Sequence, residues 1–149
     1  MTTPHPVHLL DLLRADFRTT EAADGLNSAL QKALSLPYRY QPARLALAKS
    51  LSVSIHPTLE GDLRGKPIKG ETLFGQEEVD LALWVALIVE HAERPGATRR
   101  DIQDLVAAHW SRGVEALWAD WLAGGEDAVA FFERLADNPA RALAEQKQP

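Results

Sequence analysis

The chain has no cysteine and a single methionine among its 149 residues. The missing thiols exclude a disulfide framework, a thiolate zinc site, iron–sulfur ligation and a thiol nucleophile. Long hydrophobic runs are missing too. The longest, Leu81 to Val89, falls well short of the ~18 residues a membrane-spanning helix needs. The amino terminus does not read as a basic, apolar, small-residue signal, so the expected location is cytoplasmic, with no membrane partner. Basic charge is in short supply: 16 Lys and Arg against 21 Asp and Glu leave the chain at −5. That balance disfavours a dedicated polyanion binder, because neutralising phosphates takes clustered cations. Internal repeats and low-complexity tracts are absent.

What is there fits one compact domain: 46% hydrophobic and 25% charged residues over this length. The charge is uneven along it. Residues 28–75 carry seven basic and three acidic side chains, whereas residues 76–149 carry seven and fourteen. A basic middle on an acidic body suits local contact with an anion or a partner protein.

Leucines 9, 10, 12 and 13 predict a short helix or docking arm within residues 1–15. Asp16–Thr19 predicts a short strand with Phe17 and Thr19 on one face and Arg18 on the other. Thr20 fits the cap of a helix carrying Leu26, Ala29, Leu30, Ala33 and Leu34 at helical spacing and stopped by Pro37. Pro42 suits the first position of a helix through Leu51. Residues 52–75 read as a long irregular connection. From Gln76 a helix is expected to run to the Arg94-Pro95-Gly96 stop, apolar on every face, and so wrapped by other helices or buried between copies. Thr98 with Asp101 resembles a capping box. It opens a helix whose stripe is Ile102, Leu105, Val106, His109, Trp110, Val114, Leu117, Trp118, Trp121 and Leu122. Gly113 completes the stripe, as a close-packing position. Two shorter helices, Glu126–Ala136 and Pro139–Lys147, are expected to form a carboxy-terminal extension over residues 123–149.

A four-residue strand has two unpaired edges and cannot stand alone. Pairing with the same strand of a second copy would relieve this and give a ribbon-helix-helix arrangement. Arg39 and Arg44 would then sit near the start of the second helix, and Asp16 and Arg18 on the ribbon. The plainer alternative is that all three arginines are solvated surface charges.

Arg64, Lys66 and Lys69 alternate with Gly61, Gly65, Gly70 and Gly75 in a loop that invites comparison with a phosphate-binding loop. The comparison fails, because the second glycine comes one residue early and Lys66 is followed by Pro67. Histidines 5, 8, 56, 91 and 109 form no metal pattern; Glu90, His91 and Glu93 lack a second histidine four residues away. His109, on the apolar stripe, reads as a hydrogen-bonded core residue, and Trp84, Trp110, Trp118 and Trp121 as packing. No nucleophile–base pair or cofactor fingerprint stands out, so no catalytic residue, metal or cofactor is expected and the protein reads as a non-enzyme.

Taken in order, DFRTTEAADGLNSALQKALSLPYRYQPARLALAKSL (Asp16–Leu51), GKPIKGETLFG (Gly65–Gly75), LALWVALIVEHA (Leu81–Ala92) and AAHWSRGVEAL (Ala107–Leu117) resemble the DndE family, accessory proteins of DNA phosphorothioate modification. The resemblance covers roughly residues 16–122. It implies a mainly α, ribbon-helix-helix-like fold extended by a helical bundle, homo-oligomerisation, and a DNA-binding accessory role beside the other DNA sulfur-modification proteins that exchange a phosphate oxygen for sulfur. Carried over by position, Arg18, Arg39, Arg44, Lys66 and Lys69 are the cations it nominates for double-stranded DNA. The first helix departs from the family in charge, offering only Lys32 against Glu21 and Asp24. This opens a second reading, a complex-organising protein-interaction subunit without DNA affinity of its own.

Overall fold

The computed structural model describes residues 8–137. The chain forms α1 (Leu9–Arg14), β1 (Asp16–Phe17), α2 (Glu21–Ala33), α3 (Tyr40–Leu51), β2 (Ile68–Lys69), α4 (Gly70–Leu73), α5 (Glu78–Ala92), α6 (Arg99–Ala123) and α7 (Ala128–Leu135). The expected helix at Pro139–Lys147 and the first seven residues of the arm lie outside the described residues. Among the described residues, no helix is long and apolar enough to cross a membrane.

The architecture is mainly helical, with one small antiparallel sheet. Its pivot is α6, which opens on a full capping box: Thr98 Oγ1 accepts from Asp101 N at 3.1 Å and Asp101 Oδ2 from Thr98 N at 2.9 Å. One face of α6, carrying Ile102, Val106, Trp110, Val114, Leu117 and Trp121, is buried against α3 and α2. Leu122, assigned to the same stripe, is turned out to solvent near the carboxy end of α6. Helix α3 begins at Tyr40, two residues ahead of Pro42. The proline is still tolerated because the first four amides of a helix have no intrahelical acceptor. On α2, Thr20 Oγ1 caps Ala23 N at 3.1 Å, as its position implies.

The strand differs from expectation in length and in partner. It spans two residues, and its antiparallel mate is β2 of the same chain, with Asp16 opposite Lys69 and Phe17 opposite Ile68. The edge is thus completed from the 52–75 connection, which folds back rather than wandering. Phe17 meets Phe74 edge to face at 5.1 Å, and Gly70 N donates to Ala15 O at 2.9 Å. This close return requires glycine at 70, since a Cβ there would collide with the Leu12 carbonyl. The side-chain alternation holds: Phe17 and Thr19 are buried, and Arg18 is exposed. Thr19 Oγ1 donates to Ala107 O at 3.1 Å, fastening the segment to α6.

A buried polar bridge joins three helices. Asn27 of α2 is fully enclosed; its Oδ1 accepts from Trp110 Nε1 and its Nδ2 donates to Arg39 O, both at 3.1 Å. Asn27→Leu fills the space but strands the indole N–H, so a loss of about 2 kcal/mol is expected, read as a lowered urea midpoint. A midpoint unchanged from wild type would show the bridge to be dispensable.

Helix α5 is only partly covered. Leu81 and Ile88 are buried, but Val79 (78% exposed), Leu83 (60%) and Leu87 (44%) form an apolar outer face. The described residues therefore do not wrap the helix that reads as apolar all round.

Candidate nucleic-acid interface

The turn between α2 and α3 reads PYRYQPAR, which puts Arg39 at the amino end of α3 and Arg44 just over one turn further in. The returning segment 65–73 passes directly in front of them. Arg39 Nη2 pairs with Asp24 Oδ1 at 2.7 Å and also donates to Lys66 O at 3.1 Å. Asp24 Oδ2 in turn accepts from Lys66 N at 3.1 Å. Arg44 donates from Nε to Leu73 O at 2.6 Å and from Nη2 to Thr72 O at 3.0 Å, satisfying carbonyls at the end of α4. Arg18 Nη1 donates to Gly65 O at 3.1 Å. Three guanidinium groups therefore stitch one loop to the helices, each through backbone carbonyls. Arg39 and Arg44 are partly buried in doing so, whereas Arg18 remains exposed.

The two lysines are freer. Lys66 is exposed, and its ammonium has no ion pair among the described residues. Lys69 is exposed too; it lies across the two-stranded ladder from Asp16 and pairs with its carboxylate at 2.8 Å. Hydrogen bonding from the Lys69 ammonium holds the Asp16 carboxyl below the usual carboxylate range, and the charges of Lys69, Arg18 and Arg99 add to the effect.

Between the α2–α3 turn and β2 lies an open groove of about 530 Å³. Pro37, Tyr38, Arg39 and Tyr40 form one wall; Pro67, Ile68, Lys69 and Thr72 form the other. Tyr38 and Tyr40 are stacked, with ring centroids 5.5 Å apart and planes inclined by 11°. The Arg44 guanidinium carbon sits 4.4 Å from the Tyr40 ring centre. Of the five nominated cations, Arg39 and Lys69 line this groove, Lys66 adjoins it through Pro67, and Arg44 backs its aromatic wall. Arg18 falls elsewhere, in a shallow depression with Asp16, Arg100 and Asp104. The tyrosines are the functional candidates that a search restricted to tryptophan overlooks; their signal is the alternation of aromatic and cation in YRY. Aromatic faces beside cations can stack a base and hold its phosphate.

The larger depression, about 710 Å³ between the start of α2, the 55–64 loop and α6, mixes Glu21, Glu60, Asp62 and Glu115 with Arg64 and Arg112. Its Arg112 is spent internally, donating to Ser50 Oγ at 2.8 Å, to Ser50 O at 2.7 Å and to Ile55 O. Behind it stand the histidines. His109 Nδ1 lies 2.8 Å from Ser50 Oγ, and the His109 and His91 rings meet edge to face at 4.7 Å. Burial pushes the His109 pKa down to about 4, helped by neighbouring His91, Arg112 and His56. His109 is fully buried, and Ser50 nearly so, which makes the pair a core hydrogen bond. Among the described residues, no three His, Asp or Glu side chains converge as a metal site.

No protein-family model matches this chain, and no curated protein matches it.

Proposed function

We propose that the protein is a non-enzymatic, DndE-like accessory subunit that contacts double-stranded DNA in a phosphorothioate-modification system. The observation that carries this reading is the gathering of Arg39, Arg44, Lys66 and Lys69 around one groove at the start of α3. The strand-helix-helix order β1–α2–α3 agrees with the ribbon-helix-helix reading, although β1 pairs with β2 of the same chain and not with a second copy. Lys69 in β2 and Arg18 just after β1 are both exposed, and the basic middle of the chain supplies charge there.

Phosphate contact by these cations releases counterions, so binding to a labelled duplex is expected to weaken steeply with salt. Lys66 and Lys69 are the cations to remove first, because neither bonds α3 to the 65–73 segment as Arg39 and Arg44 do; Lys69 pairs instead with Asp16 and donates to Arg14 O at 3.4 Å. Lys66→Ala with Lys69→Ala is expected to weaken duplex binding about tenfold and to lower the salt slope by about one per lysine. Fluorescence anisotropy across a salt series checks both. Unchanged affinity and slope in a folded variant would remove these residues from the interface.

The apolar outer face of α5 favours a second reading, a complex-organising subunit that docks other proteins. A well-folded, self-associated protein with no salt-sensitive duplex binding is the result that would select it.

A further inference from the structure

We propose that the Tyr38–Tyr40 groove holds an unpaired nucleotide, its base stacked on Tyr38 and its phosphate beside Lys66 and Lys69. This rests on the nucleic-acid reading above and narrows it from duplex contact in general to a strand with an exposed base.

Tyr38 is 57% exposed although its ring is stacked on Tyr40, so the stack ends in an aromatic surface open to solvent. The platform is held in place before anything binds. Tyr38 N donates to Gln41 Oε1 at 3.2 Å, fixing the turn. Tyr40 belongs to the first turn of α3 and lies under Arg44, which is itself anchored to Leu73 O and Thr72 O. Little conformational freedom is left to lose on binding.

The occupant follows from the chemistry of the walls. An open aromatic face attracts flat π-systems, and the opposite wall presents Lys69 with Lys66 next to it. A base linked to a phosphate satisfies both at once. Asp24 is taken up by Arg39 and Asp16 by Lys69, so a phosphate would share Lys69 with Asp16, while Lys66 has no acidic partner among the described residues. In a paired duplex the base faces are covered by their neighbours, so Tyr38 can stack only on a base out of the helix. A volume of about 530 Å³ lies within the range of small-ligand sites, roughly 300–1,000 Å³.

The test measures anisotropy of a short labelled oligothymidylate and, separately, of a fully paired duplex, with wild type, Tyr38→Ala and Tyr38→Trp. The expected result is single-strand binding by wild type, about tenfold weaker with Tyr38→Ala, retained with Tyr38→Trp, and duplex binding unchanged throughout. Wild type that binds duplex but not the single strand overturns the inference and leaves the proposed function intact. A Tyr38→Ala variant that weakens both ligands equally also overturns it, since the ring would then act only through the shape of the turn. Binding to neither ligand overturns the inference together with the duplex-contact reading.

Discussion

Gly113→Ala is expected to destabilise the fold by about 3 kcal/mol or more, against the local preference of a helix for alanine. Gly113 sits in α6 where α3 crosses it, and a Cβ built there would overlap the carbonyl oxygen, carbonyl carbon and Cα of Ala46. Those are backbone atoms of a neighbouring helix, so no side chain can swing aside. Relief requires α3 to back away from α6, which loosens Ala43 and Leu47 from Trp110, Val114 and Leu117, all of them fully buried. Alanine is intrinsically better than glycine in a helix by about 1 kcal/mol, a gain too small to offset that separation. Gly25→Ala provides the control. Gly25 is a helical, exposed glycine with open space where its Cβ would stand, so there the propensity gain is expected alone, about 0.5–1 kcal/mol. Urea unfolding of the two variants should shift the midpoint in opposite directions. A Gly113→Ala midpoint equal to or above wild type would mean that the α3–α6 contact is looser than described.

The same contrast shows what was legible in the sequence. The α6 stripe, its capping box and the packing role of Gly113 are local patterns, and helical periodicity over 25 residues resists accident. The start of α3 was displaced by two residues because Pro42 is tolerated anywhere in a first turn. The second strand was hidden for a different reason. Two residues carry no periodicity, and Ile68–Lys69 becomes a strand only because Gly70 lets the chain lie against α1 and β1. An intramolecular partner therefore took the place expected of a second copy. The nominated cations were legible as positions, but their bonds to backbone carbonyls were not, since those depend on where the returning segment runs. Only the fold reveals that Arg18, Arg39 and Arg44 are already bonded to residues 65–73. Tyr38 and Tyr40 pose the reverse case, with their alternation visible in YRY but their stacking set by the turn.

Acidification is expected to unfasten the core at His109 before it reaches the carboxylates. His109 joins α3 through Ser50 and faces His91 of α5, while Arg112 of the same helix and His56 of the following loop add positive charge nearby. Its folded pKa, about 4, lies below the unfolded value of about 6.5. The unfolded chain thus binds the extra proton first, and the stability contributed by the neutral ring is full above pH 6.5 and is lost as pH falls toward 4. The shift is worth about 3 kcal/mol. Asp16 and Asp101 act in a separate window. Hydrogen bonding from Lys69 lowers the first and hydrogen bonding from Thr98 lowers the second, so their contributions are present above about pH 3.8 and fade only below it. Urea unfolding at pH 7.5 and 4.5 is therefore expected to show a large loss in wild type and a much smaller one in His109→Gln, which has no imidazole to protonate. If the two proteins lose the same stability between those pH values, the imidazole is not the group that titrates, and the weakening belongs to another contact of α3 and α6.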